Sequence, residues 1–227
     1  MRLLSVFVEE SLPRQLERSA ANIVGTDRAD VVDRAAIRLL LTQLSGLENC
    51  HVRFCYRPAD AHDAIRFWLL PEIIDHPDIH LDPEAVDFRP QSDGNLGRRI
   101  SQAAGDAFRE GYTKVAFIGS HCLEISSRWI HATFAQLNAK HMAVLGPSED
   151  GACCLIAMQE YLPSLCRAVS WSSSMESLVQ QACRESISLY QLPELPTIGS
   201  DSAYQSILSG PMGAKLRSTI EDILESG

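Results

Sequence analysis

Two kinds of apolar pattern take turns along the chain. The first is the short, almost unbroken run: Leu3 to Val8, Val115 to Ile118, Met142 to Leu145 and Ala152 to Met158. Runs this short, bounded by turn residues, predict strands covered on both faces. His51 to Tyr56 alternates instead, with Val52, Phe54 and Tyr56 on one face, and predicts a further strand, as does Leu189 to Leu192. The second pattern is helical spacing. Val32, Ala35, Ala36, Leu39, Leu40 and Leu44 share one face of a helix over 30–44, and Leu96, Ile100, Ala103, Ala104, Ala107 and Phe108 one face of a helix over 95–110. Ile130, Phe134 and Leu137 do the same after a cap at Ser126 or Ser127. Pro58 introduces a helix over about 59–70, Ser173 and Glu176 form a capping box for a helix to about 186, and Leu216, Ile220, Ile223 and Leu224 mark a C-terminal helix over 213–226. Residues 75–90 predict a loop with a short strand. Strands alternating with helices predict an α/β fold: one domain over 1–227, a three-layer α/β/α sandwich around a mixed, mostly parallel sheet. Lys114 to Ile118 is expected at its centre.

Composition narrows the partners. The 227 residues are 45% hydrophobic and 22% charged, ordinary for a globular chain. A net charge of −9 argues against nucleic acid, which needs a concentrated basic surface. No apolar run approaches a membrane span, and Leu3 to Val8 is too short for a signal segment before Glu9 and Glu10, so no membrane partner and a cytoplasmic location are expected. Seven cysteines without a Cys-x-x-Cys spacing predict reduced core thiols. Cys153 and Cys154, adjacent in a strand, should point to opposite faces and remain unbridged. His76 and His80 sit among acids without a closing motif and predict a solvated loop; His131 falls off its helix's apolar face. No nucleophile elbow, P-loop or zinc-helix motif is present.

Chemistry concentrates where the central strand stops. Val115 to Ile118 runs straight into Gly119-Ser120-His121-Cys122, and ligands of open α/β sheets lie beyond the carboxyl ends of the strands. The site should therefore centre near Ser120 and His121. Gly94 and Gly97 bracket a helix start, where free N–H groups can hold an anion, or where a tight turn is simply needed.

The segments Pro90-Gln91-Ser92-Asp93-Gly94-Asn95-Leu96-Gly97-Arg98-Arg99, Gly119-Ser120, Leu145-Gly146-Pro147 and Asp150-Gly151, with Trp171, resemble in order and spacing the DUF2064 family. The resemblance spans roughly 3–208. Its members look like small glycosyltransferases of the GT-A, nucleotide-diphospho-sugar transferase fold. The resemblance implies a nucleotide-sugar ligand held by Gln91, Asp93, Gly94, Gly97, Arg99, Ser120 and Gly151. It implies catalytic roles at Asp150 and His121 and, if the site is active, a divalent Mg²⁺ or Mn²⁺ at His121, Asp150 and Asp201. Several positions depart from the family pattern. His121 stands where the family carries an aspartate, Glu9 where it carries a lysine, and Glu17-Arg18-Ser19-Ala20 where it carries Lys-Thr-Arg-Leu, unless a shifted loop lets Arg14 or Arg18 take over. Ala152-Cys153 replaces Gly-Tyr, and Gly199-Ser200-Asp201-Ser202 replaces Asp-Val-Asp-Thr. Two expectations follow. One is a degenerate domain without metal-dependent transfer, retaining weak nucleotide binding. The other is an active glycosyltransferase or nucleotidyltransferase. A different activity built on His121 and Asp150 stays open beside them.

Overall fold

A computed structural model describes residues 1–8, 29–149, 151–170, 174–195 and 209–226. Glu9, Arg14, Glu17 to Ala20, Asp150, Trp171, Ser173 and Gly199 to Ser202 lie outside the described residues. The elements are β1 (Arg2–Val8), α1 (Ala29–Leu44), β2 (Cys50–Tyr56), α2 (His62–Asp75), β3 (Val86–Pro90), α3 (Leu96–Arg109), β4 (Lys114–Gly119), α4 (Ser127–Gln136), β5 (Met142–Pro147), β6 (Cys153–Met158), α5 (Pro163–Ala168), α6 (Met175–Arg184), β7 (Ser188–Gln191) and α7 (Pro211–Ser226).

Seven strands form one sheet in the order β3-β2-β1-β4-β6-β5-β7. Every pairing is parallel except those of β6, which runs antiparallel to both β4 and β5. The reversal follows from loop length. β5 and β6 are joined by a few residues, which permits only an antiparallel neighbour, whereas parallel neighbours need a crossover. The strand runs are apolar throughout because both faces are covered. Leu4, Val6, Val52, Phe54, Ala116 and Ile118 pack beneath α1, α2 and α4. Leu3, Phe7, Val115, Phe117, Ile156 and Met158 pack beneath α3, α5 and α6. Val115 and Phe117 are 0% and 2% exposed, placing β4 at the centre as the sequence predicts. Cys153 and Cys154 fall in opposite cores, and all seven cysteines are free thiols.

The structure also corrects several expectations. α2 does not stop before Pro71 but carries it inside the helix and ends at Asp75. Proline supplies no N–H to the Phe67 carbonyl, and the missing bond is tolerable because Phe67 and Pro71 are both exposed, where water can take that carbonyl. α5, one and a half turns long, was not predicted; its length is too short to display a helical period. The cap of α6 is Ser174, whose hydroxyl accepts from the Ser177 amide, one position beyond the expected capping box. The second face of β2 is buried as well. Arg53, 5% exposed, lies there, its guanidinium bound to Asp87 at 2.8 Å and to Glu110 at 2.7 Å. α7 closes the α1 side: Met212, Leu216 and Ile220 meet Val32, Ala35, Ala36 and Leu39 in a small separate core.

Candidate functional site

The chain passes from β1 to β2 and β3 on one side, then returns to β4 on the other side of β1. The carboxyl ends of β1 and β4 therefore flank the switch point of the sheet, where open α/β folds form their crevice. The register sets Phe7 beside Gly119, Val8 beside Tyr56, and Tyr56 beside Pro90. Residues just past these ends form a crest. Ser120 and Gln91 stand on it three strands apart, about 14 Å at the usual strand spacing.

At the centre, the Ser120 amide donates to the Phe7 carbonyl at 3.1 Å, extending the ladder one residue past β4. Cys122, Leu123 and Ile125 are then driven inward, at most 1% exposed. Leu123 enters the small core between α1 and α7, and the Cys122 thiol points at the Cys154 carbonyl 3.5 Å away. These anchors leave Ser120 and His121 half-buried at the strand end. A hydrogen-bonding contact with Cys154, together with burial, pushes the Cys122 thiol well above its ordinary value, so it is a packed thiol and no nucleophile.

On the β3 side, Gln91 is a clamp. Its backbone amide donates to the Tyr56 carbonyl at 2.9 Å, and its side-chain Nε2 donates to the carbonyls of Val8 at 3.1 Å and Cys55 at 2.6 Å. Its Oε1 accepts from Nη1 of Arg99, itself 5% exposed in the first turns of α3. Both side-chain N–H donors of Gln91 thus join β1 to β2. Gly97 serves packing: a Cβ there would fall on the Arg167 carbonyl and 2.8 Å from that of Val169, so α3 and α5 approach backbone to backbone. Gly94, at φ +109°, takes a left-handed turn, and Asn95 caps α3 by accepting from the Arg98 amide at 2.9 Å. Asp93 is exposed beside that turn.

Beyond β5 the turn to β6 is closed by the Gly151 amide on the Ser148 carbonyl at 2.8 Å, with Gly151 at φ +80°. Two further acids belong to this crest, and no sequence pattern singles them out. Glu124 follows His121 by three residues; its carboxyl is pushed up by burial and by Glu149 in the β5–β6 turn, against a smaller opposing pull from Lys215 of α7. Only the tertiary fold brings these three elements together.

Mg²⁺ and Mn²⁺ favour several hard oxygen ligands. Among the described residues no three His, Cys, Asp or Glu side chains converge on a point, and His121 offers nitrogen. The described residues do not fit such a cation; Asp150 and Asp201 lie outside them.

Solved structures share this architecture. A protein from Desulfovibrio desulfuricans G20 assigned as a nucleotide-diphospho-sugar transferase is 22% identical, with a TM-score of 0.71 over 97% of both chains. A nucleotidyl transferase from Methanothermobacter thermautotroptrophicus is 14% identical, with a TM-score of 0.57 over 96% of this chain and 99% of that one. The 4-diphosphocytidyl-2C-methyl-D-erythritol synthase of Anaerococcus prevotii DSM 20548 is 11% identical, with a TM-score of 0.54 over 92% and 95%. At these identities the likeness establishes the fold, a GT-A-like nucleotide-diphospho-sugar transferase sheet. No curated protein matches the chain. The family described as an uncharacterized protein conserved in bacteria, DUF2064, matches residues 40–173, more than half the sequence. This chain, with its crest of Gln91, Ser120 and His121 along a GT-A-like sheet, belongs to DUF2064.

Proposed function

We propose that this chain is a nucleotide-binding GT-A-like domain that has lost metal-dependent transfer and holds a nucleotide or nucleotide-sugar weakly along its crest. The observation that carries this reading is His121, set at the end of the central strand where the family's aspartate is expected. An imidazole is neutral or cationic, never anionic, so it attracts no divalent cation by charge and repels one when protonated. With Glu9 and Glu17 in place of cations, a diphosphate loses direct partners as well. Gly94, Asp93, Ser120 and Gly151 remain the candidate ligand contacts, and Arg99 acts through Gln91. The names of the structural neighbours support a nucleotide as the ligand class.

A second reading, an active glycosyltransferase or nucleotidyltransferase, is favoured by Glu124 and Glu149, acids that follow the ends of β4 and β5 and sense each other's charge, Glu149 helping burial to raise the Glu124 carboxyl. Calorimetric titration with nucleoside diphosphates and nucleotide-sugars, with and without Mn²⁺, separates the two. The degenerate site predicts weak binding indifferent to Mn²⁺. His121→Asp, which restores the family's carboxylate, should then bind at least about tenfold more tightly when Mn²⁺ is present. Tight, Mn²⁺-dependent binding or turnover by the unaltered chain supports the active reading instead.

A further inference from the structure

His141 stands at the amino end of β5, where β5, β6 and α6 meet. Its side chain is more than half exposed, yet both ring nitrogens have a protein partner. Nδ1 lies 2.9 Å from Oε1 of Glu160, just past β6, and Nε2 lies 3.1 Å from the backbone carbonyl of Glu185, at the end of α6. Both partners can only accept, one being a carboxylate and the other a peptide oxygen. A neutral imidazole carries a single N–H and would turn its other nitrogen's lone pair on an oxygen. The two acceptors are satisfied together only by the imidazolium, which donates from both nitrogens.

The setting favours that charge. Glu185 is the C-cap of α6, so the ring lies at the negative end of the helix dipole. The Glu160 hydrogen bond above all, and then the Glu185 carbonyl, raise the pKa of His141 above its ordinary value; the charges of the two acids add to them and desolvation opposes. The cations nearest in the chain, Lys140 before it and Arg184 in the last turn of α6, are exposed, where water and salt screen them. The same residue holds β7 through its backbone. Its carbonyl accepts from the Ser188 amide at 2.8 Å, beside the first rung between β5 and β7. β7 is a four-residue strand at the edge of the sheet, with few other ties. His141 and Ser186, on the two sides of this junction, both sit at φ +56°, a left-handed conformation that such residues keep only where their surroundings hold them.

We propose that His141 is a pH-sensitive clasp on the edge strand β7. Protonated, it ties the end of β6, the start of β5 and the α6–β7 turn together. Giving its proton to solvent as pH rises, it releases one of its two acceptors and loosens β7. A proton held more tightly by the folded chain than by the unfolded one contributes stability that is full below the unfolded histidine value of about 6.5. That contribution is lost as pH rises through the higher folded value.

Nuclear magnetic resonance of the intact chain tests this at two levels. Ring-nitrogen shifts should show His141 protonated at both nitrogens, titrating at a higher pH than the same residue in the urea-unfolded chain. Glu160→Gln, which keeps an acceptor and removes the charge, should lower that pH. Amide exchange, expressed as protection factors that remove its intrinsic pH dependence, reports the strand. From below to above the His141 titration, protection in β7 should fall about threefold relative to β4, the size of effect a cation at a helix C-terminus produces. Glu160→Gln should move the fall to lower pH, and His141→Gln should abolish it. A His141 that titrates at or below its unfolded value overturns the proposal. So does β7 protection that is the same on both sides of the titration, or a fall that Glu160→Gln leaves in place or His141→Gln leaves intact.

Discussion

Single residues at the crest serve the fold as much as any ligand. Gln91 joins three carbonyls and a buried arginine at the ends of β1 and β2. Gln91→Ala orphans the Val8 and Cys55 carbonyls and takes the Oε1 acceptor from Arg99; leaving such groups unsatisfied costs about 1–3 kcal/mol. Urea unfolding should show that loss, and an unchanged midpoint would mean the clamp is replaceable by water. Gly97→Ala sets a methyl against the Arg167 and Val169 carbonyls, and overpacking against backbone should cost about 1–3 kcal/mol or more by the same assay. Glu124 gives a pH signature. Burial and Glu149 raise its folded value above the unfolded one. Its contribution to stability is therefore full in acid, below the ordinary glutamate value, and is lost as pH rises through the raised folded value. Glu124→Gln should melt higher than the unaltered chain at pH 7, with the advantage vanishing near pH 4; an equal gain at both would point to something other than ionisation. Gln91 and Gly97 are visible in the sequence as motif residues, but the carbonyls that the glutamine's Nε2 binds are 36 and 83 positions away, and those that confine the glycine 70 and 72. A motif shows that a residue matters and does not say to what it binds.

Among the elements, those with strong local patterns were legible, and those defined by their neighbours were not. β4 reads from four consecutive apolar residues, and α1 and α3 from their spacing. The direction of β6 depends on the short turn at Gly151, the extent of α2 on water reaching a carbonyl that Pro71 cannot serve, and the burial of Arg53 on Asp87 and Glu110 arriving from other elements. α7 shows what an element adds to the site. It packs on α1 and encloses Leu123, two residues after His121. Leu216→Ala, at a fully buried position, should cost about 2–5 kcal/mol and loosen the loop carrying His121, which hydrogen exchange at the 120–125 amides would register. β6 gives a chemical test. Its Cys153 thiol is pushed up to about 12 by burial, and of the seven thiols only Cys183 is exposed. A thiol reagent at neutral pH should find one fast group in the native protein and seven after denaturation without reductant; fewer than seven would mean a bridge.

On the scale of the whole molecule, the chain keeps the sheet of nucleotide-diphospho-sugar transferases, and the proposed loss of metal-dependent transfer turns on charge. Where the family resemblance implies a carboxylate at position 121 this chain has an imidazole, and where it implies cations after β1 the sequence has Glu9 and Glu17, unless Arg14 or Arg18 takes over. An imidazole at position 121 brings no negative charge to a divalent cation, and His121 stands apart from the two buried cores that hold the sheet. Ligand-linked stability separates a degenerate crest from an active one most directly. Stabilisation grows as RT ln(1 + [L]/Kd), so a millimolar nucleotide-sugar bound with micromolar affinity adds about 4 kcal/mol to unfolding. Denaturant unfolding with millimolar nucleotide-sugar, with and without Mn²⁺, on the unaltered chain and on His121→Ala, is the direct measurement. A degenerate crest gives a rise well under that figure, equal with and without metal and equal in both proteins. A rise of about 4 kcal/mol that requires Mn²⁺ and disappears in His121→Ala would contradict it.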